Sequence, residues 1–398
     1  MVEQETKLLT KALASYLEQA QLTHVSLITR LSQGLSNQNY CVRGCHPSYD
    51  GESFWVLRVN SWASSQICDR RAEVANWRLA ASHSLAPEVV YVSPCNRFYL
   101  SRYYSQQQQY NWSALSSENG VSSMTTALTN SLNESSPPHS YKSKHSYKSQ
   151  RSYKAQQLCQ TPSLKLANTL GKSTSTAIEE AGLILPLLNG LAKLPEPENK
   201  MSVDKQWHVY HHRLQSMFAK VTALQARHCN AAQTVLLTAW KLSYAKLVAN
   251  IEQTEAMLRR LNHCMIRQQF SHRDLNPFNI LLVEGALKCI DFEYACSSHP
   301  LCDLAAVLAS HSLSNEQRQW IIEEYLASNP NLNHHAGSAV SAAIDLYWVF
   351  AVCWALQMAF DHLIKEGEVE VKTADKDLQA VEGYLACAEQ YYQLISKP

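Results

Sequence analysis

Three polar residues stand out in the second half of the chain. Asp274 lies in the run His272-Arg273-Asp274-Leu275-Asn276-Pro277-Phe278-Asn279, and Asp291 opens Asp291-Phe292-Glu293 twelve residues after Asn279. An aspartate, an asparagine five positions on and a second aspartate form the set that phosphoryl transfer requires. The first carboxylate takes the proton of an attacking hydroxyl, while the amide and the second carboxylate hold magnesium against nucleotide phosphates. Each fragment alone is common in surface loops; the complete set at this spacing is not.

The elements between them suit that task. Ile280-Leu281-Leu282-Val283 has the apolar character of a short strand, Glu284-Gly285 that of a turn, and Leu287-Lys288-Cys289-Ile290 that of a returning strand. A hairpin of this kind brings Asn279 and Asp291 to one end, within reach of one metal ion.

A second set lies near the start. Gln33-Gly34-Leu35-Ser36-Asn37 places a glycine and small polar residues between two strand-like runs, a shape that can bring backbone N–H groups over phosphates. In Phe54-Trp55-Val56-Leu57-Arg58-Val59, period-2 alternation sends Trp55, Leu57 and Val59 to one face and Arg58 to the other. There its permanently charged fork suits anionic oxygens. Glu73, one helical turn before Trp77, leans inward and needs a cation. Arg58 is one candidate; a solvated pairing with Arg70 or Arg71 is the other.

Together these residues resemble the choline/ethanolamine kinase, thiamine kinase and aminoglycoside phosphotransferase superfamily. The matching stretches are 33–40, Leu57-Arg58, Glu73, His272-Arg273-Asp274 with Asn279, Ile290-Asp291-Phe292-Glu293-Tyr294 and Cys302-Asp303-Leu304-Ala305. The resemblance implies a two-lobed, protein-kinase-like α+β fold that uses ATP and Mg2+. Asp274 would be the base, and Asn279 and Asp291 the metal ligands. Arg58 supported by Glu73 would bind phosphates under Gly34, Ser36 and Asn37, and the stretch from Leu100 would meet adenine at the hinge. Phe278 departs from the family, which often has glycine there.

The rest of the chain fits such a plan. Residues 1–104 have the mixed pattern of a small nucleotide-binding lobe, with helices expected over Thr6–Ala20 and Gln66–Ser82 and strands over Thr29–Val42, Phe54–Val59, Val89–Val92 and Arg97–Tyr103. Residues 105–175 are rich in Ser, Gln, Asn, Lys and Tyr and contain a tandem six-residue polar repeat over 139–156. They are expected to be a disordered insertion whose partner, if any, is unknown. Residues 176–398 are expected to be a helical lobe with long helices over Trp207–Cys229 and Ala231–Leu261, then the catalytic loop and acceptor site.

Composition narrows the function. The chain of 398 residues carries 35 basic and 34 acidic side chains, giving no reason to expect nucleic-acid binding. Twelve cysteines form no Cys-x-x-Cys pair, and Glu3 and Glu5 argue against a secretory leader. A cytoplasmic protein with reduced thiols is expected. The apolar run Leu346–Leu356 is too short to span a bilayer, so no membrane partner is expected.

The acceptor is the thinnest inference. Tyr347, Trp348 and Trp354 on one apolar stretch, with Asn276 and a carboxylate such as Glu293 or Asp345 nearby, would suit a small cationic alcohol through cation–π contact. A core helix packing its own rings explains the same pattern more simply. Phosphorylation of a choline-, ethanolamine- or thiamine-like alcohol is the first reading. An aminoglycoside-type phosphotransferase and a non-catalytic nucleotide-binding scaffold are the alternatives.

Overall fold

The computed structural model describes residues 2–31, 37–60, 68–106, 174–226, 230–364 and 375–396. Gly34 and Ser36 fall outside them, as do residues 107–173 of the insertion expected over 105–175.

The first lobe is a five-stranded antiparallel sheet of order β1-β2-β3-β5-β4, formed by Thr23–Leu31, Asn37–Cys45, Glu52–Asn60, Phe98–Arg102 and Val89–Val92 respectively. Helix α1 (Val2–Gln19) packs on β1, and Leu13, Leu17, Ile28, Val42, Trp55, Leu57, Phe98 and Leu100 make a closed core. The alternation in β3 works as the sequence implies: Trp55 and Leu57 are fully buried on one face, and Arg58 turns to the other. Helix α2 (Arg70–Ser82) starts at Asp69, whose carboxylate accepts from the Arg71 and Ala72 N–H groups at 3.0 and 3.1 Å. Val74, Trp77 and Ala80 of α2 join the core of the second lobe, so α2 ties the lobes together.

The second lobe holds helices α3 (Thr174–Ala192), α4 (Val203–Gln225), α5 (Ala231–Ala249) and α6 (Ile251–Cys264) before the catalytic loop. The single helix expected over Ala231–Leu261 is broken at Asn250, whose φ of −111° and ψ of 20° leave the helical basin. The expected 207–229 helix covers Val203–Gln225. Beyond the loop run α7 (Leu301–Ser310), α8 (Asn315–Ser328), α9 (Ala336–Leu363) and α10 (Asp375–Leu394). The run Leu346–Leu356 is only the middle of α9. With 28 residues, α9 is long and apolar enough to cross a membrane by length and composition, but 67% of its most apolar window is buried here. It packs along α10, α6 and α7 as the central helix of the lobe. Nine described cysteines are free thiols; Cys387 is disulfide-bonded, against the expectation of uniformly reduced thiols.

Two short strand pairs carry the chemistry-bearing loops. β6 (Gln269–Ser271) pairs with β9 (Cys296–Ser298), and β7 (Ile280–Val283) pairs with β8 (Ala286–Cys289). The β7–β8 turn takes φ of 51° at Glu284 and 78° at Gly285. Two successive left-handed residues match the strand twist of a two-residue hairpin, and glycine adopts that conformation without strain.

Candidate active site

The hairpin sets the geometry. Its ladder continues one step past the strands, where the Ile290 N–H donates to the Asn279 carbonyl at 2.9 Å, so Asn279 and Asp291 leave the hairpin side by side. Asn279 Nδ2 donates to the Asp274 carboxylate at 2.7 Å and to its backbone carbonyl at 3.0 Å. Asn276 Nδ2 donates to the other Asp274 oxygen at 2.7 Å, while Asn276 Oδ1 caps the 3-10 turn Pro277–Asn279 by accepting from the Phe278 N–H. Two amides thus fix the orientation of the Asp274 carboxylate.

Below the loop, Asp303 in the first turn of α7 is buried and accepts three hydrogen bonds: from Ser271 Oγ at 2.8 Å, the His272 N–H at 2.9 Å and the Arg273 N–H at 2.7 Å. These bonds hold Arg273 in the left-handed region, at φ 67°, a conformation that side-chain-bearing residues keep only when their surroundings enforce it. His272 is fully buried against Phe292, and its Nε2 lies 3.1 Å from the Ile290 carbonyl. Burial lowers its pKa, so a neutral ring donates there and accepts the Asp274 N–H at Nδ1. The sequence contained Asp303 within a matched motif but gave it no role; an aspartate in a helical first turn reads as an ordinary cap until the fold places it under the loop.

A compact charge cluster faces this loop from the first lobe. Arg58 reaches Glu73 at 2.9 Å, Asp291 at 3.1 Å and Glu293 at 3.8 Å, and its Nε donates to Asn60. Glu73 is 1% exposed and also pairs with Arg70 at 2.6 Å. Arg58 is thus a partner of Glu73, and Arg70 is a second one, but that pairing is buried rather than solvated. Arg70 further donates to Asn37 at 3.3 Å, which draws Asn37 into the cluster. Three carboxylates against two guanidiniums leave surplus negative charge. Burial, then the neighbouring Asp291, push Glu293 up to about 7.

The donor set suits Mg2+, which takes hard oxygen ligands and keeps several waters. Among the described residues no group of three or more His, Cys, Asp and Glu closes on a point. Magnesium bound to a nucleotide does not need one. Asn279 spends its amide nitrogen on Asp274, which leaves its Oδ1 as the atom that would face a cation.

The remaining expected residues lie apart. Leu100 is fully buried in the first-lobe core and paired to Leu57 and Tyr91 on either side. The chain leaves that lobe at Gln106, whose side chain brackets Leu282 of β7 through the N–H and the carbonyl. Glu293 belongs to the charge cluster rather than to an acceptor wall. Trp348 is buried, stacked on Tyr391 with centroids 5.5 Å apart, and Trp354 meets Tyr384 edge-on at 5.7 Å. Asp345 is buried and caps the Ser396 N–H. The rings that approach Asp274 are tyrosines: the hydroxyls of Tyr294, Tyr347 and Tyr391 are desolvated and held above the ordinary phenol value, burial first and the Asp274 charge contributing. Tyr294 still keeps 36% of its surface exposed, as a ring on the wall of a cleft does.

Residues 208–336 match the profile of the phosphotransferase enzyme family. The match begins in α4, ahead of the catalytic loop, where the motifs gave no hold. No curated protein sequence matches the chain. Solved structures similar in fold include ethanolamine kinase of Plasmodium vivax, at 13% identity and a TM-score of 0.55 over 98% of this chain and 87% of that one. Choline kinase of Cryptosporidium parvum aligns at 12% identity and a TM-score of 0.51, covering 97% and 96%. A spectinomycin phosphotransferase in complex with ADP and spectinomycin aligns at 8% identity and a TM-score of 0.50, covering 98% and 94%. At such identities these structures speak for the fold alone, which this chain shares with choline, ethanolamine and antibiotic kinases, while the phosphotransferase profile is confined to residues 208–336.

Proposed function

We propose that the protein transfers the γ-phosphoryl group of ATP, with Mg2+, to the hydroxyl of a small cationic alcohol of the choline, ethanolamine or thiamine kind. The observation that carries this reading is Asp274 held by Asn279 at 2.7 Å, with Asp291 following the Ile290 that bonds the Asn279 carbonyl at 2.9 Å and meeting Arg58 across the lobes at 3.1 Å.

Each chain residue has a defined task. Arg58, kept in place by Glu73, offers its fork to phosphate oxygens. Asn279 and Asp291 would hold the metal, which neutralises charge on the phosphates when bound. Asp274, oriented by Asn276 and Asn279, accepts the proton of the acceptor hydroxyl and aims its oxygen at phosphorus. Phosphoryl transfer asks mainly for position and charge, so two amides fixing one carboxylate are an economical solution. The tyrosine-lined side of Asp274 supports a cationic acceptor, because aromatic faces attract ammonium groups by roughly 0.5–2 kcal/mol.

Steady-state turnover of the purified protein with choline, ethanolamine, thiamine and an aminoglycoside, each with Mg-ATP, tests the proposal. The expected result is saturable phosphorylation of at least one of the three small alcohols at kcat/KM at least tenfold above the aminoglycoside. Preference for the aminoglycoside would move the protein to the drug-modifying branch, and no turnover of any acceptor would remove the proposal.

A further inference from the structure

The carbonyl of Ala295 is gripped from two sides. Asn76 Nδ2, on α2, donates to it at 2.7 Å, and Asn199 Nδ2, in the segment between α3 and α4, donates to it at 2.8 Å. Asn76 Nδ2 also reaches Asn199 Oδ1 at 3.3 Å, which closes a triangle of three polar groups. Asn76 and Ala295 are both buried. One hydrogen bond satisfies a buried carbonyl; here both of its lone pairs are taken, by donors from two separate elements.

The gripped residue closes a turn. The Ala295 N–H donates to the Phe292 carbonyl at 3.0 Å, so residues 292–295 form a β-turn that begins immediately after Asp291. Asp291 itself stands at φ 70°, in the left-handed region, which a side-chain-bearing residue keeps only where its surroundings enforce it. On one side the enforcement comes from the hairpin, through the Ile290 bond to Asn279. On the other it comes from this turn. Its first ring, Phe292, is fully buried and stacked on Trp77 of α2 with centroids 6.4 Å apart, and its last carbonyl is held by the two asparagines. Asn199 is fastened in turn: its carbonyl accepts from the Ser297 N–H at 2.8 Å, and the Met201 N–H donates to the Ser297 carbonyl at 2.9 Å.

Asn76 lies one helical turn after Glu73, on the same side of α2. Glu73 meets Arg58 at 2.9 Å, so one helix sets the phosphate-facing guanidinium and, through Ala295, the loop that presents Asp291.

We propose that Asn76 and Asn199 are positioning residues for Asp291. Their shared hold on the Ala295 carbonyl keeps that carboxylate in its left-handed pose and couples it to the helix that carries Glu73. The proposal rests on the phosphotransferase reading of the site, in which Asp291 is a metal ligand.

Mn2+, which takes the same hard oxygen ligands as Mg2+, provides the test without an acceptor or turnover. Its binding to the full-length protein saturated with ADP is followed by electron paramagnetic resonance. ADP affinity in EDTA, measured by calorimetry, is the reference, because no metal takes part in it. Groups that orient a metal ligand are worth about 10–100-fold in metal affinity, so Asn76→Ala and Asn199→Ala should each weaken Mn2+ binding by about tenfold. ADP affinity in EDTA should stay within twofold of the wild type. Asn199→Asp, which keeps the shape but not the N–H donors, should lose at least as much Mn2+ affinity as Asn199→Ala. Asn199 is half-buried outside any helix or strand, so its two variants decide the matter even if Asn76→Ala does not fold. Mn2+ affinity within twofold of the wild type in both Asn199 variants overturns the proposal. An equal loss of ADP affinity does so too, since it shows a general loosening. The expected Mn2+ pattern with no alcohol phosphorylated would uphold the clamp and count against the proposed function alone. A wild type that binds no Mn2+ beside ADP would overturn both.

Discussion

Glu293 shows how a residue can be placed correctly in a motif and still be given the wrong company. Its sequence neighbours suggest a carboxylate for a cationic acceptor, yet it faces Arg58 and Arg70, each at 3.8 Å, and shares that space with Asp291. The sequence could not reveal this, because the two arginines come from β3 and α2, more than 200 residues away. The pairing of Arg58 with Glu73 was one of two readings open to the sequence, since strand alternation aims one side chain and a helical turn aims the other. Arg70 looked like a surface neighbour only because its i,i+3 spacing carries no sign of burial. Glu293 has a folded-state value raised from 4.5 to about 7, so the native state binds its proton more tightly than the unfolded chain does. Its cost is absent below 4.5, grows as pH rises through the window up to about 7, and is fully present above it. Glu293→Gln should therefore gain stability relative to the wild type between pH 5 and pH 8, by at most on the order of 3 kcal/mol. Urea midpoints of nucleotide-free protein at the two pH values measure this; a gap that stays constant or narrows would contradict it.

At the scale of elements, the β7–β8 hairpin was readable to within a residue because two apolar runs flank a Glu-Gly turn and nothing else competes. The α5–α6 break was not readable: apolar periodicity runs through Asn250, and only tertiary packing decides that the chain turns there. Helix α7 contributes most through one side chain. Asp303 touches no reacting atom; it positions the backbone that presents Asp274. Asp303→Asn replaces an acceptor of three hydrogen bonds by a weaker one, and bonds to charged groups are worth about 1.5–3 kcal/mol each. The expected outcome is a fall in kcat of about tenfold to a hundredfold with KM for ATP changed less than threefold. Equal losses in both constants would show a general loosening rather than a displaced base.

Across the whole molecule, two cores meet at α2. The sheet of the first lobe closes on α1, while Val74, Trp77 and Ala80 pack into the helical lobe, and Asn76 Nδ2 donates to the Ala295 carbonyl at 2.7 Å. The two-lobed α+β plan was visible in the change from period-2 to helical patterning. The shared core was not, because Trp77 could have packed to either side. Arg58 to Asp291 is the link across the front of the cleft, and the proposed nucleotide would sit against both. Binding to the folded state alone stabilises it by about 2.7 kcal/mol at a hundred times Kd. Mg-ATP should accordingly raise the melting temperature of the wild type by several degrees and that of Arg58→Met by less than one. An equal rise in both would show that the nucleotide binds elsewhere.

The most direct test of the account is the kcat of Asp274→Asn on the best acceptor found. The side chain keeps its size but can no longer accept a proton, and it retains one acceptor oxygen for the two amides of Asn276 and Asn279. General-base assistance contributes about 10²–10⁴-fold, so kcat should fall within that range while KM for ATP stays within threefold. Turnover within twofold of the wild type would contradict the role of Asp274 and, with it, the reading of the site.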